Sequence, residues 1–241
     1  MRYRREPGRP ASLVPMTGIS YRRPEVRELA DACAERAGRH GLSLHLTDDL
    51  QNWAGVVGAA MGADGVNPTF DPARSRIAPG SAFHLSALDE SGDVAACGAG
   101  RLFVTRDFAA LIESLALWFD PVPPDMAAGI ELATPVPALS GRIAHVGGLW
   151  VHPRFRGSGL SLTMARLVRA TALDLFDADW DTWVAFQDVA FRSTYGTATT
   201  VLCVDGFFPP RGRAERVFLS YATGDQVMDV VRDTVGYTAA V

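Results

Sequence analysis

Arginine and glycine residues stand close together in the second half of the chain, directly after an apolar segment. The stretch reads His145-Val-Gly-Gly-Leu-Trp-Val-His-Pro-Arg-Phe-Arg-Gly-Ser-Gly-Leu-Ser161. Glycines let a backbone approach a ligand closely, and the free N–H groups at the start of a helix point toward an anion that the helix dipole also favours. The guanidinium groups of Arg154 and Arg156 can add charge-assisted hydrogen bonds. The pattern therefore predicts an anion-binding turn that suits a pyrophosphate.

Two regular elements must hold this turn in place. Residues 142–151 form an apolar run with β-branched side chains, which predicts a buried strand that ends at Pro153. Beyond the turn, apolar residues at helical spacing predict an amphipathic helix. These residues are Leu160, Met164, Leu167, Val168 and Leu175. The glycine turn is therefore expected to join the end of a strand to the start of a helix.

The rest of the chain alternates between strand-like and helix-like segments. The pattern predicts helices over 24–40, 48–61, 108–119, 188–195 and 225–235, and strands over 42–46, 82–88, 94–104, 182–186, 199–204 and 216–221. Segments rich in proline or poor in apolar residues predict long surface loops over 62–80 and 120–141. Strands that alternate with helices, with a hairpin toward each end, indicate an α/β (α+β) fold with a mixed central sheet and flanking helices.

Charge divides the chain into a basic start and an acidic remainder. Residues 1–23 hold six arginines and one glutamate, and they are predicted to form a flexible basic arm. Because the whole chain carries −4 and the arm contributes +5, residues 24–241 carry −9. This remainder is predicted to be a single domain that begins with a helical extension. An acidic domain is not expected to bind nucleic acid.

Composition excludes several classes of protein. All 23 basic residues are arginine, so chemistry that needs a lysine amine, such as a Schiff base or a P-loop, is excluded. No apolar run reaches the roughly 18 residues of a membrane span, and the first residues lack the apolar part of a secretory signal. Three widely spaced cysteines favour a reduced, cytoplasmic setting. The five histidines show no metal-binding spacing, so no metal is expected.

The strand, the turn and the helix together resemble the GNAT acyltransferase superfamily, and the resemblance covers about residues 82–222. The family signature is Q/R-x-x-G-x-G/A after a strand L-x-V-x-P, and the chain reads Leu149-x-Val151-x-Pro153-Arg154-x-x-Gly157-x-Gly159. The resemblance implies that segment 142–176 binds acetyl-CoA or another acyl-CoA, with turn amides on the pyrophosphate and the strand backbone on the pantetheine arm. The residues so implied are Leu149, Val151, Arg154, Arg156, Gly157, Ser158, Gly159 and Leu160.

An acyl transfer to an amine needs a base for the ammonium proton. His145 lies on the same strand face as Gly147, and an imidazole with an unperturbed pKa near ~6.5 suits the task. Members of the superfamily often carry glutamate on this strand, at the position where this chain has Gly147. The competing interpretation of His145 is a hydrogen-bonded histidine of a buried strand.

The departing thiolate needs an acid. Tyr195, in Ala190-Phe-Arg-Ser-Thr-Tyr195, resembles the tyrosine that the superfamily places after its short helix. The Gly-Phe pair that usually follows closely occurs here only at Gly206-Phe207. A buried tyrosine with a bonded hydroxyl is the alternative. Asp188 stands where the superfamily often has asparagine, and a helix cap accounts for it.

These residues favour a CoA-dependent N-acyltransferase whose acceptor is a small-molecule or peptide amine held near loops 62–80 and 120–141. A second hypothesis is a long-chain N-acyl amino acid or homoserine lactone synthase. In this hypothesis Trp118, Phe119 and the helix that begins near Phe108 line a tunnel for the acyl chain of the donor. A third is a catalytically silent CoA-binding module, which the missing glutamate at position 147 favours. No membrane span is expected, and a homodimer is compatible with all three.

Overall fold

The computed structural model describes residues 13–61, 65–191, 196 and 198–239. Its strands form one eight-stranded sheet in the order β1-β2-β3-β4-β5-β6-β8-β7, in which β5 and β6 are parallel and all other neighbours are antiparallel. The strands are β1 (Val14–Pro15), β2 (Ser43–Thr47), β3 (Ala82–Leu88), β4 (Val94–Thr105), β5 (Gly141–Val151), β6 (Trp180–Phe186), β7 (Thr199–Phe208) and β8 (Arg213–Thr223). The mixed sheet with flanking helices confirms the predicted fold class.

Helices cover both faces of the sheet. They are α1 (Pro24–Gly38), α2 (Leu50–Met61), α3 (Phe108–Glu113), α4 (Leu160–Phe176), α5 (Gln187–Ala190) and α6 (Gly224–Ala239). Helices α1, α4 and α6 contact one another, and their apolar side chains pack with Ala144 and Val146 of β5. Helix α3 packs with Ile143, whose side chain points to the other face. Because side chains alternate along a strand, β5 is buried from both sides at this level.

Helix α3 is shorter than the sequence pattern predicts. Asp107 caps it as expected, since Ala110 N–H donates to Asp107 Oδ1 at 3.3 Å, but the helix ends at Glu113. Leu115 has a φ of 63°, which is left-handed backbone and cannot continue a right-handed helix. Trp118 and Phe119 therefore lie beyond the helix, buried in the apolar cluster on this face.

The second half of the predicted basic arm belongs to the folded domain. Val14–Pro15 pairs with β2, and the side chains of Met16 and Tyr21 are buried. The backbone N–H groups of Arg22 and Arg23 donate to the two carboxylate oxygens of the buried Asp174 at 2.8 and 2.9 Å. The prediction of a flexible arm over 1–23 is thus wrong for residues 13–23, where apolar burial and an acidic acceptor fix the chain. Residues 1–12 lie outside the described part.

The two parallel strands in the middle of the sheet separate along their length. Ile143, Ala144 and His145 pair with Trp180–Thr182, and no further pairing between β5 and β6 occurs within the described chain. From Val146 onward β5 pairs with β4 alone, while β6 continues beside β8. The sheet therefore splits between the carboxyl ends of β5 and β6, and we call this opening the cleft. No helix in the described residues is long and apolar enough to cross a membrane.

Candidate functional site

The cleft exposes one backbone edge of β5. Gly147 through Val151 are neither fully buried nor fully exposed, and on the β6 side their N–H and C=O groups have no strand partner in the described part of the chain. The pairing of β4 with β5 shifts register between Cys97 and Ala99, and Gly148 has a φ of 61°. A bulge of this kind bends a strand and increases its twist. The bend accounts for the opening, and it leaves Leu149 and Val151, both predicted to be binding residues, on the free edge.

A turn with two left-handed glycines follows β5. A short 3₁₀ segment, Pro153–Phe155, leads into Gly157 and Gly159, whose φ angles are 83° and 79°. A Cβ placed on Gly157 would meet nothing within 4 Å, so open space lies beside it. Gly159 is the N-cap of α4. Successive N–H groups in such a turn form a concave surface that suits an anion.

Some N–H groups of the turn are engaged and others are available. Ser158 N–H donates to Phe155 O at 3.4 Å, and Leu160 N–H is 3.4 Å from Ser158 Oγ. The N–H groups without a protein acceptor, as far as the described residues show, are those of Gly157, Gly159, Ser161 and Leu162. An α-helix leaves its first N–H groups unpaired, so four donors are available in the turn and at the start of α4.

The predicted side chains divide into ligands and supports. Arg154 and Arg156 are exposed, and neither forms an ion pair with a described residue. Arg156 Nε is 3.4 Å from Val151 O, beside the free edge of β5. The Ser158 hydroxyl donates to Phe155 O at 2.7 Å and so closes the turn. Leu160 is buried and anchors the start of α4 in the core.

Sequence reasoning missed a third arginine at this turn. Arg36 Nη2 lies 2.9 Å from the position that a Cβ on Gly159 would occupy, so its guanidinium lies against the Gly159 backbone. Arg36 belongs to α1, outside the part of the chain that resembles the superfamily. No spacing relates it to the motif, and only the packing of α1 on α4 brings the two together.

His145 marks the fork of the cleft, since it is the last β5 residue that pairs with β6. Its side chain is fully buried, with Nδ1 3.0 Å from Thr182 Oγ1. Because the Thr182 hydroxyl is placed to donate to Ala144 O at 3.3 Å, it accepts from Nδ1–H, which leaves Nε2 as an acceptor without a partner in the described structure. Burial, with the nearby charge of Arg101, lowers the pKa of His145 to about 3. The imidazole is neutral and shielded at neutral pH, which argues against its predicted role as the base.

Gly147 carries no side chain because another residue fills the space above it. A Cβ there would lie 2.9 Å from Phe70 Cε2 and 3.6 Å from Asn67 Nδ2. Phe70 is fully buried, and its ring stacks 6.1 Å from that of His145. Loop 65–80 thus covers this face of β5 and occupies the place where the superfamily often has a carboxylate. The sequence predicts this loop, but no pattern in it indicates that Phe70 contacts the strand.

The second predicted catalytic residue cannot be placed. Tyr195 lies outside the described residues, as do its neighbours 192–194 and Thr197. Helix α5 ends at Ala190, and Asp188 lies in its first turn rather than at its N-cap, which is Phe186. Among the residues that the structure describes, no group of three or more His, Cys, Asp or Glu side chains could hold a metal ion.

Comparison with known proteins gives matches among solved structures only. No family model and no curated protein matches the chain. A Klebsiella pneumoniae protein provisionally named as an acyl-CoA N-acyltransferase is 12% identical, with 76% of this chain and 97% of that chain covered and a TM-score of 0.43. Spermidine N-acetyltransferase from Vibrio cholerae, in complex with CoA and spermine, is 10% identical, with 61% and 69% covered and a TM-score of 0.36.

A third solved structure is the CoA-dependent acyl-homoserine lactone synthase BjaI, with SAM and isopentyl-CoA. It is 16% identical, covers 65% of each chain and has a TM-score of 0.39. At these identities the likeness concerns the fold and not the substrate.

Proposed function

We propose that the chain is an acyl-CoA-dependent N-acyltransferase that transfers an acetyl or other acyl group to an amine. One observation carries the proposal. Strand β5 separates from β6 immediately before a turn in which two left-handed glycines and the start of α4 leave four N–H groups available. A free strand edge that leads into an anion-binding turn suits a ligand with an amide-containing arm attached to a diphosphate.

The donor is proposed to lie along the cleft. Its diphosphate accepts from the N–H groups of Gly157 and Gly159 and of the first turn of α4, and Arg154 and Arg156 supply positive charge. Its pantetheine amides pair with the free backbone edge near Leu149 and Val151. This arrangement places the thioester deeper in the cleft, toward the fork at His145.

The proposed reaction needs no covalent enzyme intermediate. The amine nitrogen attacks the thioester carbonyl, the C–N bond forms, the C–S bond breaks, and CoA leaves as a thiolate that takes up a proton. Backbone N–H groups on the β5 edge can stabilise the oxyanion that develops on the carbonyl. Holding both reactants in one cleft removes much of the entropic cost of their encounter.

Proton transfer is the part of the proposal that departs from the sequence-based expectation. A fully buried imidazole with a pKa near 3 is a weak base without access to the acceptor. We therefore propose that the amine enters neutral and that, once the C–N bond has formed, its nitrogen loses a proton to water in the cleft. Tyr195 remains our proposal for the acid that protonates the thiolate.

Binding of the donor tests the proposal. Acetyl-CoA titrated by calorimetry into the wild type and into Arg154→Ala/Arg156→Ala should bind about tenfold more weakly to the variant, because two charge-assisted contacts to phosphate are lost. The matched control is Arg39→Ala/Arg213→Ala, which removes two exposed arginines elsewhere on the molecule. If both double variants bind acetyl-CoA with equal affinity, Arg154 and Arg156 do not contribute to the binding site.

The packing of Phe70 on Gly147 specifically favours a second candidate, a CoA-binding module without turnover. Such a module would bind acetyl-CoA with normal affinity yet release no thiol with any member of a broad amine panel. Thiol release with even one amine would exclude it. The long-chain alternative is less favoured, since Trp118 and Phe119 are buried in a packed cluster that would have to open. A larger thermal shift with a long-chain acyl-CoA than with acetyl-CoA would support it.

A further inference from the structure

A cavity lies beside the glycine turn, where three helices meet. It encloses about 420 Å³, a size in the range of small-molecule sites. Its walls come from α1, α4 and α6, and the residues are Leu29, Ala32, Cys33, Arg36, Leu162, Thr163, Arg166, Asp233 and Thr234. Leu162 and Thr163 follow Gly159 within one turn of α4, so the cavity begins where the turn ends.

Two guanidinium groups converge on this cavity. Arg36 reaches the Gly159 backbone from α1 and has no hydrogen bond or ion pair with any described residue. Arg166 donates from Nη1 to Thr234 Oγ1 at 2.7 Å, while its buried Nε has no partner in the described chain. Both positive charges act on the thiol of Cys33, whose burial nevertheless raises its pKa to about 12.

The lining combines charge with apolar surface. Leu29, Cys33 and Leu162 supply apolar surface, and the two arginines supply donors for an anion. Asp233 is the one carboxylate among the lining residues, and it is exposed at the rim. A nucleoside phosphate matches this combination of apolar surface and positive charge. The faces of its planar base are largely apolar, and its phosphate carries two negative charges.

We propose that this cavity holds the adenosine 3′-phosphate end of the CoA donor, with Arg36 and Arg166 as the ligands of the 3′-phosphate. The inference rests on the proposed donor binding. A diphosphate on the Gly157–Gly159 turn leaves the adenosine to extend beyond the start of α4, where Leu162 and Thr163 line the cavity. The helical extension α1 then serves donor recognition, since it supplies Arg36 and one wall of the cavity.

The test compares CoA with 3′-dephospho-CoA, which lacks only the phosphate in question. Both are titrated by calorimetry into the wild type, Arg36→Gln, Arg36→Gln/Arg166→Gln and the control Arg39→Gln, an exposed arginine at the C-cap of the same helix. Thermal unfolding of each variant shows that it is folded, and the single Arg36→Gln variant carries the test if the loss of the Arg166–Thr234 bond unfolds the double variant.

The wild type and Arg39→Gln are expected to bind CoA about tenfold more tightly than 3′-dephospho-CoA, and Arg36→Gln should reduce that ratio at least threefold. The double variant should bring the ratio close to one, while the affinity for 3′-dephospho-CoA changes little. A ratio that stays at the wild-type value in Arg36→Gln overturns the cavity inference and leaves the proposed function standing. Failure of the wild type to bind either ligand overturns both.

Discussion

Gly159 combines two constraints that no other residue type satisfies. Its φ of 79° is left-handed, and the Arg36 guanidinium lies where a Cβ would be. Gly157 shares the left-handed φ, 83°, but has open space beside it. Comparison of the two positions therefore separates backbone strain from steric collision.

We expect Gly157→Ala to lower the free energy of unfolding by about 1–2 kcal/mol, the usual cost of a left-handed alanine. Gly159→Ala should cost the same strain and also displace Arg36, so it should weaken CoA binding more than Gly157→Ala weakens it. Urea unfolding and calorimetry measure the two effects. Equal CoA affinities in the two variants would show that Arg36 does not contribute to the site.

His145 and His84 make stability depend on pH. Burial lowers the pKa of His84 to about 4 and that of His145 to about 3, while both titrate near ~6.5 in the unfolded chain. Between the folded and unfolded pKa values, the unfolded state therefore binds more protons than the folded state. The contribution of the two histidines to the free energy of unfolding is complete above pH 6.5 and falls as the pH drops toward 4. Each histidine should contribute a slope of about 1.4 kcal/mol per pH unit in that window.

Urea unfolding at pH 7.5, 6.5, 5.5 and 4.5 measures this slope. The wild type should lose stability on acidification, and His145→Gln should show a shallower dependence because one of the two histidines is gone. The same variant should leave the pH profile of acyl transfer unchanged, since we assign the imidazole no proton transfer. If the pH profile of the wild-type rate has an acidic limb that disappears in His145→Gln, then His145 is the base.

Loop 65–80 packs on strand β5 through Phe70, which contacts both Gly147 and His145. Phe70 fills the space above Gly147, and the pair fixes how the loop covers the cleft. Gly147→Ala alone should cost about 1–3 kcal/mol of unfolding free energy, as overpacking does. In a Phe70→Ala background the same change should be nearly neutral, which gives a coupling energy above about 1 kcal/mol. Additive losses in urea unfolding would contradict the contact.

Asp174 ties the first described segment to α4. It is buried and accepts from Arg22 N–H and Arg23 N–H, so its removal leaves two backbone donors without acceptors. Asp174→Ala should lower the free energy of unfolding by about 1–3 kcal/mol and release the segment that contains Arg22 and Arg23. Limited trypsin digestion should then cut after Arg22 faster than in the wild type, whereas the Arg23–Pro24 bond resists trypsin. An unchanged digestion rate would show that apolar packing of Met16 and Tyr21 suffices.

Across the whole molecule, the sequence predicts the features that depend on the local pattern of residues, namely the strands, the helices and the glycine turn. The alternation of apolar residues located the strands and helices, and Leu149 to Gly159 located the turn at the end of β5. What it missed depends on contacts between distant segments. Arg36 reaches Gly159 across 123 positions, Phe70 reaches Gly147 across 77, and Asp174 holds residues that look like a loose arm. Local patterning contains no information on such pairs. The burial of His145 likewise depends on Phe70 and Phe108, which the strand pattern cannot reveal.

The claim on which the proposed function depends is that Gly157 and Gly159 present their N–H groups to the diphosphate of the donor. Selective ¹⁵N-glycine labelling makes these two amides visible by NMR, with Gly141, at the opposite end of β5 from the turn, as the internal control. On titration with CoA, the Gly157 and Gly159 resonances should shift in a saturable way while Gly141 stays in place. Saturable CoA binding that leaves both resonances unmoved would contradict the claim.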